Sequence, residues 1–303
     1  MQNPAQSRMM VDFLSRILSV FFGGPSGRTY ALVGGAVVLW ASWPALATVA
    51  FPAPPFLVLG LAALVGFGFS FFAALWKNQT NTLFSIRPRT MVFVAAGLMG
   101  NNAFYLAAIS RIGPAEANVV HYLWPVFLVA LAAIIHRRAP SLLQAIGISL
   151  GFCGVAVALY PQMGNGLDPT GVILGISGAL TFAIYSVGRS LARVETNVVG
   201  PSLALAGVGA LTAHFLFEPL YWPTIGQWAA IVLMGIGPFT MANVLWDRAT
   251  REGTAATISS LAFLTPLVAI TLLAVFGLSV VSIATVVGAL LAIVGAVLSS
   301  RAS

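Results

Sequence analysis

The chain has 303 residues, of which 59% are hydrophobic and only 7% charged, with a mean hydropathy of +0.97. A soluble domain carries roughly 25% charged residues and a disordered chain needs low hydrophobicity, so both classes are excluded and the expected solvent is a bilayer. The net charge of +7 is then read as membrane topology rather than nucleic-acid binding.

Residues 1–27 place Met10, Phe13, Leu14, Ile17 and Phe21 at helical spacing, with Asp12, Ser15, Arg16 and Ser19 on the other side. This pattern predicts an amphipathic helix lying on the inner leaflet. A signal peptide is disfavoured because Arg16 interrupts the apolar stretch and no small-x-small cleavage site follows.

Beyond residue 27 the charges act as punctuation. A helix crosses the hydrocarbon with about 20 apolar residues at roughly 1.5 Å each. Six charge-free tracts hold one span. The tracts 29–76 and 253–300 hold two, divided at Phe51-Pro52-Ala53-Pro54-Pro55 and at Phe276-Gly277-Leu278-Ser279. The ten predicted spans are 29–50, 56–76, 90–110, 114–136, 140–160, 170–191, 198–217, 224–246, 254–276 and 279–299. Cys153, inside the fifth, is expected to serve helix packing, and as the single cysteine it forms no internal disulfide or thiolate metal site.

With the N-terminus inside, 13 Lys and Arg fall on the cytoplasmic side and only Arg111 falls outside. That asymmetry predicts cytoplasmic termini and a multi-pass protein of the bacterial inner membrane.

Sliding the chain on itself by 141 residues aligns Gly34 with Gly175, Pro125 with Pro266, Gly147 with Gly288 and Gly154 with Gly295, together with the spans that hold them. Around the third span the best shift is 140, pairing Arg111 with Arg251 and Gly113 with Gly253. The expected organisation is an interfacial segment 1–27, a first five-helix repeat 28–160 and a second repeat 161–303. Five is odd, so the second repeat enters the membrane from the opposite side. Inverted repeats are a mark of secondary transporters with a midplane site. The Gly-x6-Gly pairs on spans five and ten are expected to let those helices pack closely within each half.

The segments Gly113-Pro114-Ala115-Glu116-Ala117 through Leu123-Trp124-Pro125-Val126, and Gly253-Thr254-Ala255-Ala256 through Leu264-Thr265-Pro266-Leu267, are each followed by a glycine-punctuated helix. In these features the chain, over about residues 28–300, resembles the drug/metabolite transporters with two EamA-type repeats, and within them the bacterial aromatic amino acid exporters. The resemblance implies an all-α membrane fold, a basket of ten helices around a central cavity, and amino acid efflux. Where the family usually places Gly-Glu after spans four and nine, this chain has His136-Arg137-Arg138 and Phe276-Gly277-Leu278. Its first span carries no acid, so carboxylate-coupled proton antiport is not supported.

Polar side chains within a membrane are costly and tend to face a cavity or another helix. The candidate substrate-binding residues are Trp40, Asn101, Tyr105, His121, Tyr122, Trp124, Tyr185 and Trp246, with Asn102 and Asn118 beside them. Aromatic faces suit flat apolar side chains and cations, while Asn, Tyr and His supply polar anchors. Pro44, Pro125 and Pro266 remove backbone hydrogen bonds within spans and are the expected hinges. Arg111 with Glu116, and Asp247 with Arg248, Arg251 and Glu252, are charged groups at span ends, read as solvated loop charges ahead of latches.

Gly175-Ile176-Ser177-Gly178 matches the Gly-x-Ser-Gly of intramembrane serine proteases, with His214 one helix away, but the ten-span layout argues for packing. A channel is disfavoured by the lack of a repeated filter or charged ring. No metal or cofactor motif is present, so the expectation is a non-enzymatic carrier of a small molecule, an amino acid or an organic cation, working in the lipid bilayer as a monomer.

Overall fold

The computed structural model describes residues 27–135, 137, 141–163, 167–192, 198–252, 265–278 and 280–301. The amphipathic segment predicted before residue 27 and most of the first half of the predicted ninth span, residues 253–264, lie outside that set. Among the described residues all regular structure is helical. The first half comprises α1 (Gly27–Ala41), α2 (Trp43–Ala50), α3 (Pro55–Trp76), the single turn α4 (Asn81–Phe84), α5 (Pro88–Ile112), α6 (Pro114–His121), α7 (Trp124–Ile135) and α8 (Leu142–Met163). The second comprises α9 (Pro169–Ala192), α10 (Val199–Phe217), α11 (Ile225–Met234), a π-helical segment π1 (Gly235–Met241), α12 (Ala242–Glu252), α13 (Thr265–Val275) and α14 (Ile283–Arg301).

Among the described residues seven stretches are long and apolar enough to cross a membrane: 31–50, 55–76, 88–112, 142–161, 169–188, 199–217 and 225–246. They coincide with seven of the predicted spans. The predicted fourth span is divided into α6 and α7 by a turn at Tyr122 and Leu123, and the last two are represented by the shorter apolar helices Thr265–Val275 and Ile283–Gly295.

Two of the prolines expected to bend continuous helices sit instead where helices restart. Pro44 is the second residue of α2, after the interruption at Ser42, and Pro125 is the second residue of α7, after the turn at Tyr122 and Leu123. Pro266 is in α13, and the residues that lead into it lie outside the described set. A proline in the first turn gives up an N–H that would have no partner anyway, so it is compatible with a break. Ser42 Oγ donates to Leu39 O at 2.7 Å and Thr48 Oγ1 to Pro44 O at 2.9 Å, satisfying carbonyls on both sides of the interruption. In the eighth span, Pro238 lies within π1, where the widened turn is held by Thr240 Oγ1 donating to Gly235 O at 2.7 Å.

Spans pair mainly across the two repeats. The closest seam is α8 on α14, where a Cβ at Gly154 would stand 2.5 Å from Gly288 O, and one at Gly295 would meet Gly147 O and Gly151 N. The Gly-x6-Gly pairs therefore join the halves to one another, a correction to the expectation that they pack within each half. Cys153 is exposed on α8, so it does not pack in this seam as expected. A second seam joins α3 to α10, with Gly60 against Leu211 and Gly207 against Leu64. A third joins α5 to α9. Here Gly175 and Gly178 of the protease-like motif accept Val120, Asn101 O and His121, so the motif serves helix packing.

One end of the α3–α10 seam is fixed by a carboxylate. Glu218, just after α10, accepts from Phe56 N at 2.9 Å and Leu57 N at 3.2 Å in the first turn of α3, and from His214 Nδ1 at 2.9 Å. A carboxylate at a helix N-terminus satisfies orphan N–H groups and complements the dipole. His214 is thereby committed to Glu218. Elsewhere, Arg111 pairs with Asp168 at 2.9 Å, and that guanidinium is the main reason the Asp168 carboxyl titrates below its usual range.

Candidate functional site

A narrow cavity of about 80 Å³ lies between the repeats. Its walls come from spans one, three and four of the first half and six, eight and nine of the second. Those two triplets correspond under the sequence repeat. Leu98 and Phe239, Asn102 and Asn243, and Trp124 and Thr265 are wall residues 141 positions apart. Spans two, five, seven and ten, carried by α3, α8, α10 and α14, contribute no wall residue.

Six of the eight predicted residues line this cavity: Trp40, Asn101, Tyr105, His121, Tyr122 and Trp124. Tyr185 does not; it packs on Gly97 between Phe93 and Phe182, with centroids at 6.5 and 5.9 Å. Trp246 also stands behind the wall, its ring 5.1 Å from that of Trp40. The residues missed by sequence reasoning are apolar or ambiguous in kind: Trp43, Leu98, Phe182, Pro238, Phe239 and Thr265. Asn243 is different. An asparagine within an apolar span is a signal that sequence alone offers, as is the Gly-Ile-Gly-Pro run that precedes it.

The aromatic part of the wall is continuous. Phe182 meets Trp40 at 6.2 Å and Trp124 at 5.0 Å, both edge-to-face, and Trp124 meets Tyr122 at 6.1 Å. Trp43 lies on Phe239 at 4.8 Å, and Tyr105 stacks on His121 at 4.4 Å. Such a wall offers ring faces and edges to a flat guest.

The polar groups are arranged by short hydrogen bonds. Asn101 Oδ1 stands 2.7 Å from His121 Nε2; a carbonyl oxygen only accepts, so Nε2 is the donor of this pair. Tyr105 donates its hydroxyl to Asn118 Oδ1 at 3.1 Å. Asn102 Nδ2 donates to Leu98 O at 2.8 Å, and Asn243 Nδ2 donates to Phe239 O at 2.9 Å and Pro238 O at 3.1 Å. The bonds to Leu98 and Phe239 are the same i to i−4 bond in repeat-related positions. Two buried wall donors, Asn118 Nδ2 and Trp43 Nε1, have no partner. An unpartnered buried polar group costs about 1–3 kcal/mol. Among the described residues no Asp, Glu, Lys or Arg lines this cavity.

A roomier cavity of about 340 Å³ lies where α3, α10 and α12 meet, with Lys77 and Arg248 on its wall. It borders the peripheral α3–α10 seam, and apart from Phe69 its wall lacks aromatic rings. The smaller cavity has the converging amides, and it is the candidate site. Among the described residues no cluster of side chains suited to a metal ion occurs.

Many apolar membrane-crossing helices around an uncharged cavity between two repeated halves define a multi-pass membrane carrier. The chain belongs to the EamA-like transporter family, whose model matches residues 27–160 and again 169–301, and it is therefore a transporter and not an enzyme. It is 33% identical over 282 residues to the aromatic amino acid exporter YddG of Ancylobacter novellus, covering 91% of this chain and 98% of that protein. It is also similar to the uncharacterized transporter YvbV of Bacillus subtilis, at 24% identity over 83% of this chain and 85% of that one. A solved structure superposes with a TM-score of 0.72 at 28% identity, covering 92% of this chain and 98% of the other.

Proposed function

We propose that the protein exports aromatic and other apolar amino acids across the bacterial inner membrane by alternating access. In this reading ten spans form two inverted repeats, both termini are cytoplasmic, and the substrate sits at the midplane. The observation that carries it is the uncharged, aromatic-walled cavity built from corresponding spans of the two halves. Trp40, Asn101, Tyr105, His121, Tyr122 and Trp124 contact the substrate, while Tyr185 and Trp246 hold Phe182 and Trp40 in place. The helix breaks at Ser42 and at Tyr122 and Leu123, with Pro44 and Pro125 just beyond, are the points where the walls bend between states, and Pro266 is the repeat-related counterpart of Pro125. The name of the Ancylobacter relative supports the substrate class.

A second reading is efflux of flat organic cations such as methyl viologen, favoured by tryptophan faces in a wall without basic residues. Counterflow separates the two. Proteoliposomes preloaded with phenylalanine are given labelled phenylalanine outside, with tryptophan, threonine, lysine and methyl viologen as competitors. The expected result is transient accumulation abolished by tryptophan. Accumulation competed only by methyl viologen moves the assignment to cations, and no accumulation with any preload removes the carrier reading.

A further inference from the structure

Resting on the amino acid reading, we propose that the cavity recognises the α-amino acid backbone as a zwitterion through neutral side-chain dipoles. The carboxylate is held by Asn118 Nδ2 and Trp43 Nε1, and the ammonium by Asn102 Oδ1 and Asn243 Oδ1.

The polarity of each asparagine follows from what its other end does. Asn118 spends Oδ1 on the Tyr105 hydroxyl, so what remains is the N–H2 group, buried and unpartnered. Trp43 offers only an N–H, and it too has no partner although the residue is 4% exposed. Asn118 and Trp43 line the same cavity, and their two N–H groups demand an acceptor. Asn102 and Asn243 are arranged the opposite way. Each spends Nδ2 on the carbonyl four residues earlier, leaving an oxygen to which no described residue donates. These oxygens are repeat-related, so each half supplies one. A cavity with fixed donors and fixed acceptors but no formal charge fits a guest that carries both signs and is neutral overall. Burying that guest requires no counter-ion.

An amine lacking the carboxylate leaves the Asn118 and Trp43 donors unmet, and an acid lacking the ammonium meets only carbonyl oxygens at the other end. Both are rejected because unpaired buried polar groups penalise the wrong ligand. The side chain then points along the rings of Phe182 and Trp124, which tolerate any flat or apolar group.

The test is phenylalanine counterflow in proteoliposomes with full-length protein, competed by phenethylamine and by 3-phenylpropionate. Both are expected to compete at least tenfold more weakly than phenylalanine. Asn118→Asp keeps the acceptor for Tyr105 but sets a carboxylate against the substrate's own; phenylalanine exchange falls at least tenfold while phenethylamine becomes the stronger competitor. Trp43→Phe retains a ring against Phe239 and removes the N–H; it weakens phenylalanine about tenfold and leaves phenethylamine unchanged. Thermal unfolding and size-exclusion profiles identify any variant that fails to fold, in which case the other variant decides. Wild-type exchange that phenethylamine or phenylpropionate inhibits as well as phenylalanine does overturns the zwitterion assignment while leaving amino acid export standing. Unaltered selectivity in the folded variants does the same. Wild-type protein that exchanges no phenylalanine overturns the functional reading, and the assignment with it.

Discussion

The α8–α14 seam and the cavity wall are built from the same repeat by opposite means. In the seam, glycines bring two backbones together, with Gly154 against Gly288 and Gly295 against Gly147, and both helices run unbroken. On the wall, spans one, four and eight are irregular, with an interruption at Ser42, a turn at Tyr122 and Leu123, and a π-helical segment around Pro238, while α5 and α9 run unbroken. Close backbone packing leaves no second arrangement, so the seam holds the halves in register. The widened π1 turn leaves carbonyls at Pro238 and Phe239 that Asn243 ties down, while Asn102 makes its bond to Leu98 O within an unbroken helix. The contrast separates a close-packed scaffold from a cavity-lining part within one architecture.

The largest effect that would break this contrast is overpacking of the seam. Gly154→Leu is expected to cost about 3 kcal/mol or more, because the new side chain has to displace the α14 backbone. Thermal unfolding should show it as a loss of the folded protein, whereas Gly34→Ala, where a Cβ meets nothing within 4 Å, should leave the melting temperature unchanged. Equal effects at the two glycines would remove the seam's special status.

On the wall the order of effects reverses, with function more sensitive than stability. Tyr105→Phe removes the hydroxyl that orients Asn118 and should cost about 1 kcal/mol of stability, yet reduce phenylalanine counterflow about tenfold. Unchanged transport in Tyr105→Phe, His121→Ala and Trp124→Ala alike would take the site away from this cavity.

Intermediate in size is the loss of the carboxylate that caps α3. Glu218→Ala is expected to destabilise the fold by about 1.5–3 kcal/mol, since Phe56 N, Leu57 N and His214 Nδ1 lose their shared acceptor. Glu218→Gln retains an acceptor and should recover part of the loss in the same unfolding assay.

The smallest effect belongs to the Arg111–Asp168 pair, which is solvent-exposed. Because Arg111 holds the Asp168 carboxyl below its usual range, its contribution is present above the ordinary carboxylate range and is lost as pH falls through the lowered value. Wild type and Asp168→Asn should therefore differ slightly near neutrality and converge in acid, as followed by melting temperature against pH.

Much of this was legible in the residues. Charge spacing marks seven membrane-crossing helices because a charge is costly in hydrocarbon and so collects at span ends. Trp40, Asn101, Tyr105, His121, Tyr122 and Trp124 could be picked out because polar and amphipathic side chains in an apolar span need a reason to be there. Tyr185 and Trp246 satisfied the same criterion but face Phe93, Phe182 and Trp40, since one helix exposes several faces and sequence does not say which one meets the cavity. Arg111 was matched with its sequence neighbour Glu116, and the fold gives it Asp168, 57 residues away.

The sequence by itself determined the solvent, the helical class, the repeat and the family, because each depends on composition or period along one dimension. Only the tertiary structure decided that the glycine pairs join the two halves, that a π-helical segment opens span eight, and that Asn102 and Asn243 make one bond twice. It also decided which end of each asparagine is bonded to the protein itself. An amide is donor and acceptor at once, so its role is fixed by the partner that its other end finds in space.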